Sequence, residues 1–225
     1  MLLYRKNYLE FDYTHIIKPK LKNIYIQVSK NGEVILKSSP YRKNEAVKLL
    51  EQKKEWVIKS VEKVKNRVSK ENRYINKGSI FYLGKKYPLF FYKQDCKKTY
   101  LLFDKKEFKY FYKDTFADCE KRVEEFYKKE AKKIFNDRIK FYSDKLSLYP
   151  KEIKFRKTKR RLGCCTGDNT LSFNYLCIKL ALEEIDYIIV HELSHIKHKN
   201  HSKEFWKQVA KEFPDFKKIR SFITL

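Results

Sequence analysis

Hydrophobic and polar residues alternate in short runs at the start of the chain and again further along it. The runs "NIYIQVS" and "GEVILKSS" have the two-residue period of strands that bury one face, and Asn31-Gly32 between them is a strong hairpin signal. Within residues 78–112 the alternation returns, with turn residues at 84–86 and 104–106. These patterns predict an antiparallel β-rich beginning and a second group of strands after it.

Other stretches of the chain have the helical period instead. A helix is predicted over about residues 41–69 by apolar residues at helical spacing, which are Val47, Leu50, Trp56 or Val57, Val61 and Val64. Another is predicted from about Thr115 to Leu146, with Asp114 or Thr115 as its N-cap. A third is predicted to begin at Glu183, and it contains the first histidines of a dense cluster.

The order of these elements predicts an α+β fold class, with an N-terminal antiparallel β-rich region and long helices. We assign residues 1–113 to a β-rich region with one long helix, and residues 114–225 to a helical region packed against it. After Pro150, the runs "KEIKFRKT" and "NTLSFNYL" predict two strands that precede the histidine-bearing helix. We find no internal repeat or low-complexity linker in the sequence.

Cysteine usage and the lack of long apolar runs indicate the cellular compartment in which the protein is expected. The cysteines are odd in number and contain no C-x-x-C pair, which is typical of reduced thiols; they are Cys96, Cys119, Cys164, Cys165 and Cys177. The first residues lack the apolar core of a signal peptide, and no uncharged apolar run reaches the roughly 18 residues of a membrane span. We therefore expect a soluble cytoplasmic protein with no membrane partner.

The formal net charge of +25 raises the question of a polyanionic partner. Only 10 of the 53 basic residues are arginine, and the abundance of Lys, Asn, Ile, Phe and Tyr is typical of an AT-rich genome. The basic residues are also spread along the chain rather than concentrated in a tail. The composition favours a solvated lysine surface, and it leaves nucleic acid open as a partner.

Four of the five histidines lie between His191 and His201, within the stretch "VHELSHIKHKNHSKEFW". His191 and His195 have the spacing H-E-x-x-H, which puts both imidazoles on one face of a helix, where they can share a zinc ion. Glu192 can then reach a water on the metal without coordinating the metal itself. The preceding run "EEIDYIIV" is apolar, and buried imidazoles and carboxylates in such a helix need partners, which a metal supplies.

The third zinc ligand has to come from outside an unbroken helix. His198 would lie about 7.5 Å along the axis from the midpoint of the first two histidines, and His201 would be further still. End-of-helix residues at 197–200, Asn200 among them as a candidate for a left-handed turn, followed by Ser202 as an N-cap, predict that the chain folds back at this point. This geometry favours His201, with His198 and Glu204 as the alternatives.

Two further residues are candidates for a catalytic role. The Arg161 guanidinium could hold a substrate carboxylate or phosphate in a two-point contact, although it also lies in a basic run typical of a solvated surface. His198 could donate a proton to a leaving group, or lie at the rim of the site. The predicted catalytic set is therefore Glu192, Arg161 and His198.

The histidine cluster and an upstream segment resemble a known family. The pattern H-E-L-x-H-x-x-x-x-N-H-S-x-x-F-W, at His191 to Trp206, looks like the YgjP-like metal-dependent hydrolase domain, which is related to the SprT and WLM groups of zincin peptidases. Residues 161–165 resemble the family's R-W-G-S-C, with Leu162 in place of Trp and Cys164 in place of Ser. The resemblance implies a minimal zincin-like metallopeptidase core, with His191, His195 and His201 as zinc ligands and Glu192 as the catalytic base.

Three functions follow from the sequence. The preferred one is a zinc-dependent metallopeptidase with a peptide or protein substrate, using water activated by Glu192. The alternatives are a metal-dependent phosphohydrolase acting on nucleoside triphosphates, and a nucleic-acid-associated protein whose zinc is structural. The sequence specifies neither the substrate nor the metal used in the cell.

Overall fold

The computed structural model describes residues 3–6, 11–29, 31–69, 72–158 and 161–223, with the backbone alone described at residues 3–6, 65–69 and 222. The chain forms two compact units, one up to residue 70 and the other from residue 71 to residue 223. In the described part of the chain, every helix is too short or too polar to cross a lipid bilayer.

The first unit combines one sheet with two helices. Its elements are β1 (Leu3–Lys6), β2 (Tyr13–Ile17), β3 (Tyr25–Val28), β4 (Val34–Ser38), α1 (Lys43–Gln52) and α2 (Lys54–Ser69), and the sheet order is β1-β2-β4-β3. The hairpin predicted around Asn31-Gly32 is confirmed, because β3 and β4 pair antiparallel. However, β2 and β4 are parallel, so the region predicted to be antiparallel is a mixed sheet.

The single helix predicted over residues 41–69 is two helices that break at Lys53. The backbone of Lys53 has φ −97° and ψ 10°, outside the helical range. Leu50 before the break and Val57 after it are fully buried in the same core, so the apolar spacing continues across the break. Trp56, the alternative to Val57, is 51% exposed.

The second unit begins with another four-stranded sheet. Its strands are β5 (Gly78–Tyr82), β6 (Lys85–Lys93), β7 (Tyr100–Phe103) and β8 (Phe108–Tyr112), in the order β5-β6-β8-β7. A turn follows Phe103 as predicted, but the first turn lies at Leu83-Gly84, each with positive φ, and so begins one residue before the predicted 84–86. The pair β6 and β8 is parallel.

The long helix α3 spans Cys119–Leu146 and so begins later than the predicted Thr115. Asp118 occupies the N-cap position, but its carboxylate accepts hydrogen bonds from the hydroxyls of Thr99 and Tyr110 and from the Arg122 side chain, and not from a backbone N–H of the helix. The start of α3 is therefore fixed to the preceding sheet by a contact distant in sequence.

The boundary between the units differs from the predicted division between residues 113 and 114. Leu89 and Phe108 of the second sheet are fully buried in one core with Val123 and Tyr127 of α3. The sheet of residues 78–112 therefore folds with the helices that follow it, and the division lies between residues 70 and 71.

A third sheet and three helices complete the second unit. They are β9 (Glu152–Arg156), β10 (Gly163–Cys165), β11 (Thr170–Asn174), α4 (Leu182–Lys197), α5 (Lys203–Glu212) and α6 (Phe216–Phe222), with the sheet order β10-β11-β9. Asp186 on α4 receives two hydrogen bonds of 2.6 Å from Arg138 on α3, which fixes these helices together. The predicted α+β class is confirmed, and β10 is left as an outer strand of its sheet.

Candidate metal centre

The helix that bears the first two histidines is held in the core by its apolar residues. Ile185, Ile189 and Leu193 of α4 are fully buried, while His191 and His195 lie on a partly exposed face. The helix ends at Lys197 because His198 adopts an extended backbone, with φ −122° and ψ 98°. The predicted stop is therefore present, but a left-handed turn at Asn200 is not what produces it.

The chain then folds back as the sequence predicts. Ser202 is the N-cap of α5, and its hydroxyl oxygen accepts a hydrogen bond from the backbone N–H of Phe205. This elbow returns His201 to the face of α4 that carries the other two histidines. His201 and not His198 joins them: among the described residues, His191, His195 and His201 form the one group whose ligand atoms all lie within 4.8 Å of one another.

The spacing of these nitrogens fits a zinc ion. The Nε2 atoms of His191 and His201 are 3.2 Å apart. Two nitrogens bound at about 2.0–2.1 Å to one tetrahedral zinc lie roughly 3.3 Å apart, so this pair needs little movement to share a zinc ion. A set of three imidazoles is also the donor chemistry that zinc prefers.

The opposite ring nitrogen of His195 is bonded in a way that leaves its Nε2 atom for a metal. Nδ1 of His195 lies 2.9 Å from the backbone oxygen of His198, so it carries the proton that it donates there. Nδ1 of His191 is buried. Burial lowers the pKa of His191 to about 3 and also lowers that of His195, which keeps both rings in the neutral form that binds metals.

Aromatic side chains of α5 support the cluster from the other side of the elbow. The fully buried Phe205 ring lies 4.4–5.0 Å from all three imidazoles. Trp206 stacks on His201 at 5.5 Å and on Phe216 of α6 at 4.7 Å. The position of His201 therefore depends on the packing of α5 and α6 as well as on the elbow.

Glu192 lies beside the cluster and is buried, with 7% of its surface exposed. Burial raises its pKa to about 7. The neighbouring strand β10 contacts it directly: a Cβ atom added to Gly163 would lie 2.8 Å from Cγ and Oε1 of Glu192. A glycine at this position allows the strand to pass close to the carboxylate.

The other predicted site residues lie outside the cluster. His198 contributes its backbone oxygen to His195, and its side chain is not part of the three-imidazole group. The Arg161 side chain is exposed and borders a small cavity that also contains Arg156, a residue not singled out in the sequence. Glu204, an alternative ligand, is exposed and does not belong to the group.

A glutamate between two histidines of a three-histidine cluster is characteristic of metal-dependent hydrolases. The family model of the YgjP-like metallopeptidase domain matches residues 22–223. Since this match covers most of the chain, the chain belongs to the YgjP-like metallopeptidase family, and the resemblance found in the sequence is confirmed. Membership implies a hydrolase that uses a metal ion.

Two solved structures are also similar over part of the chain. One is the metallopeptidase zymogen of Pyrococcus abyssi abylysin, 28% identical over 38% of this chain and 87% of the other, with a TM-score of 0.36. The second is the metallopeptidase zymogen of Methanocaldococcus jannaschii jannalysin, 24% identical over 38% of this chain and 89% of the other, with a TM-score of 0.35. Scores this low do not establish a shared fold. No curated protein is significantly similar to the chain.

Proposed function

We propose that the chain is a zinc-dependent metallopeptidase in which Glu192 is the general base. The observation that carries the proposal is the convergence of three imidazoles beside a buried carboxylate. Zinc, when bound, supplies an activated water and a Lewis acid for the substrate carbonyl. Among the described residues the group has no fourth His, Cys, Asp or Glu ligand, which is typical of catalytic and not of structural zinc sites.

The residues of the chain have separate tasks in this proposal. His191, His195 and His201 hold the metal, and the hydrogen bond to the His198 carbonyl orients the His195 ring. Glu192 accepts the proton of the attacking water and delivers it to the leaving amine. His198 is proposed to stabilise the negative charge that develops on the carbonyl oxygen.

The outer edge of β10 offers a binding site for an extended peptide. Backbone bonds join Leu162 to Asn174 and Thr166 to Thr170, so residues alternate between facing β11 and facing outwards. Gly163 and Cys165 therefore point their N–H and C=O groups away from β11. A substrate strand paired with these groups would pass beside Glu192, because Gly163 contacts that carboxylate.

Replacing Gly163 by alanine is expected to lower kcat about 100-fold, because the added Cβ displaces the Glu192 carboxylate, and misplacement by about 1 Å has costs of this order. The measurement is peptide hydrolysis at equal zinc content and at a temperature where both proteins are folded. Gly167→Ala is the matched control, since no atom lies within 4 Å of its added Cβ. Equal kcat for Gly163→Ala and wild type would show that Glu192 takes no part in the reaction.

Metal removal tests the proposed function itself. Treatment with 1,10-phenanthroline is expected to reduce hydrolysis of a casein or mixed fluorogenic peptide substrate to background, and added zinc is expected to restore it. Phosphate release from nucleoside triphosphates without peptide cleavage would instead support the phosphohydrolase. Zinc retention without either activity, together with salt-sensitive binding of nucleic acid, would support the structural-zinc alternative.

A further inference from the structure

The sheet that carries β10 has a second face, on the side opposite to α4. Gly163 faces Glu192, so the next residue, Cys164, points to the other side of the sheet. On that side lies a cavity of about 60 Å³ that reaches the backbone of residues 162–164. The residues around it that carry a polar side chain or a thiol are Arg156, Thr158, Arg161, Cys164, Ser172 and Asn174.

One of the two arginines is held in a fixed orientation across three strands. Nε of Arg156 on β9 donates to the Ser172 hydroxyl on β11 at 2.5 Å. Its Nη2 lies 3.8 Å from Sγ of Cys164 on β10. These contacts spread the guanidinium along the sheet and direct it toward β10, so less freedom is lost when it binds a ligand.

The second arginine is positioned through its backbone. The side-chain amide of the buried Asn174 donates to the carbonyl oxygens of Thr158 and Arg161, at 3.0 Å and 3.5 Å. This anchors both ends of the segment between β9 and β10. Arg161 thereby lines the same cavity as Arg156.

Charge and size together define the ligand. Two arginines line the cavity, and none of the described residues around it is acidic. Its volume of about 60 Å³ is enough for a group as small as a carboxylate. Guanidinium groups bind carboxylates through pairs of charge-assisted hydrogen bonds.

We propose that Arg156 and Arg161 form a subsite for a carboxylate side chain of the substrate, so that the enzyme selects acidic peptides. The inference rests on the proposed peptidase function, because it requires a substrate strand along β10. Alternate side chains of such a strand point to the face of the sheet opposite Glu192 and reach the cavity. The high positive charge of the chain would also attract acidic substrates.

The test is a binding measurement that needs no turnover. The full chain carrying Glu192→Gln is titrated into fluorescein-labelled peptides of four Ala-Glu or four Ala-Gln repeats, and binding is followed by fluorescence anisotropy at constant ionic strength. In an extended strand, every glutamate of the Ala-Glu peptide points to the same face. If that face is not the one that carries the cavity, a shift of the peptide by one residue along β10 brings the glutamates to the cavity. The acidic peptide is expected to bind about tenfold more tightly than the amide peptide.

Variants of the subsite separate it from general charge attraction. Arg156→Gln and Arg161→Gln are each expected to reduce the preference for the acidic peptide severalfold. Arg156→Lys is expected to keep only part of that preference, because a lysine cannot make the two-point contact of a guanidinium group. Lys154→Gln is the matched control, since it removes one exposed positive charge from the same strand and face. Thermal unfolding verifies that each variant is folded.

Two results would overturn the subsite. One is equal binding of the acidic and amide peptides by the Glu192→Gln protein, and the other is an equal loss of preference in Lys154→Gln and Arg156→Gln. Failure of the proposed peptidase function is a different result from failure of the subsite. It would be seen as wild-type protein that holds zinc but cleaves neither peptide nor casein.

Discussion

Peptide hydrolysis is expected to fall about 10²–10⁴-fold in kcat when Glu192 is replaced by glutamine, while the protein keeps its zinc. Glutamine has the size of glutamate, so the contact with Gly163 is preserved. It cannot accept the proton of the attacking water, and none of the three imidazole ligands changes. Steady-state kinetics and elemental analysis of the same preparation measure both effects.

The control for this substitution lies on the same helix. Glu183 at the start of α4 is exposed, so Glu183→Gln removes one negative charge without disturbing the site, and kcat is expected to be unchanged. Substantial hydrolysis by Glu192→Gln would show that another group accepts the proton. Loss of zinc from that variant would instead show that the carboxylate helps to hold the metal.

Replacing His201 by alanine is expected to weaken zinc binding by more than about 100-fold, because substitution of even an indirect partner of a metal ligand typically costs 10–100-fold. His198→Ala is expected to retain zinc, since the bond to His195 uses the backbone oxygen of residue 198, which alanine also has. Zinc affinity is measured by competition with a chromophoric chelator, beside the metal content after dialysis.

The two variants also decide between the ligand sets that the sequence left open. Zinc lost from His198→Ala and retained by His201→Ala would reverse the assignment. Zinc retained by both would point to a ligand outside the three-imidazole group, and Glu204→Gln would then be the next variant to measure. In the expected pattern, zinc binding by the wild-type protein depends on residues 191, 195 and 201.

Much of the site could be predicted from the sequence because its geometry is local. The spacing of His191 and His195 follows from the helical repeat, and Ser202 marks the beginning of α5 through its preference for the N-cap. Only a fold-back at this point allows His201 to reach the other two. A site contained in eleven consecutive residues thus needs little knowledge of the rest of the fold.

The contacts that the sequence did not reveal are those between distant segments. The approach of Gly163 to Glu192 depends on how β10 crosses α4, and the orientation of Arg156 depends on the register of three strands. The parallel pairing of β2 with β4 and of β6 with β8 could not be predicted either. Alternating apolar and polar residues indicate which face of a sheet each side chain takes, but not the direction of the adjacent strand.

The ring of Phe205 touches all three metal-binding imidazoles although it cannot bind a metal itself. Because His201 reaches the cluster only when α5 is docked, the free energy of docking and the free energy of zinc binding belong to one thermodynamic cycle. Under the proposed function, zinc concentration and the packing of the last helices are therefore linked: scarcity of the ion would loosen these helices, and a weakened Phe205 contact would lower the affinity for the ion.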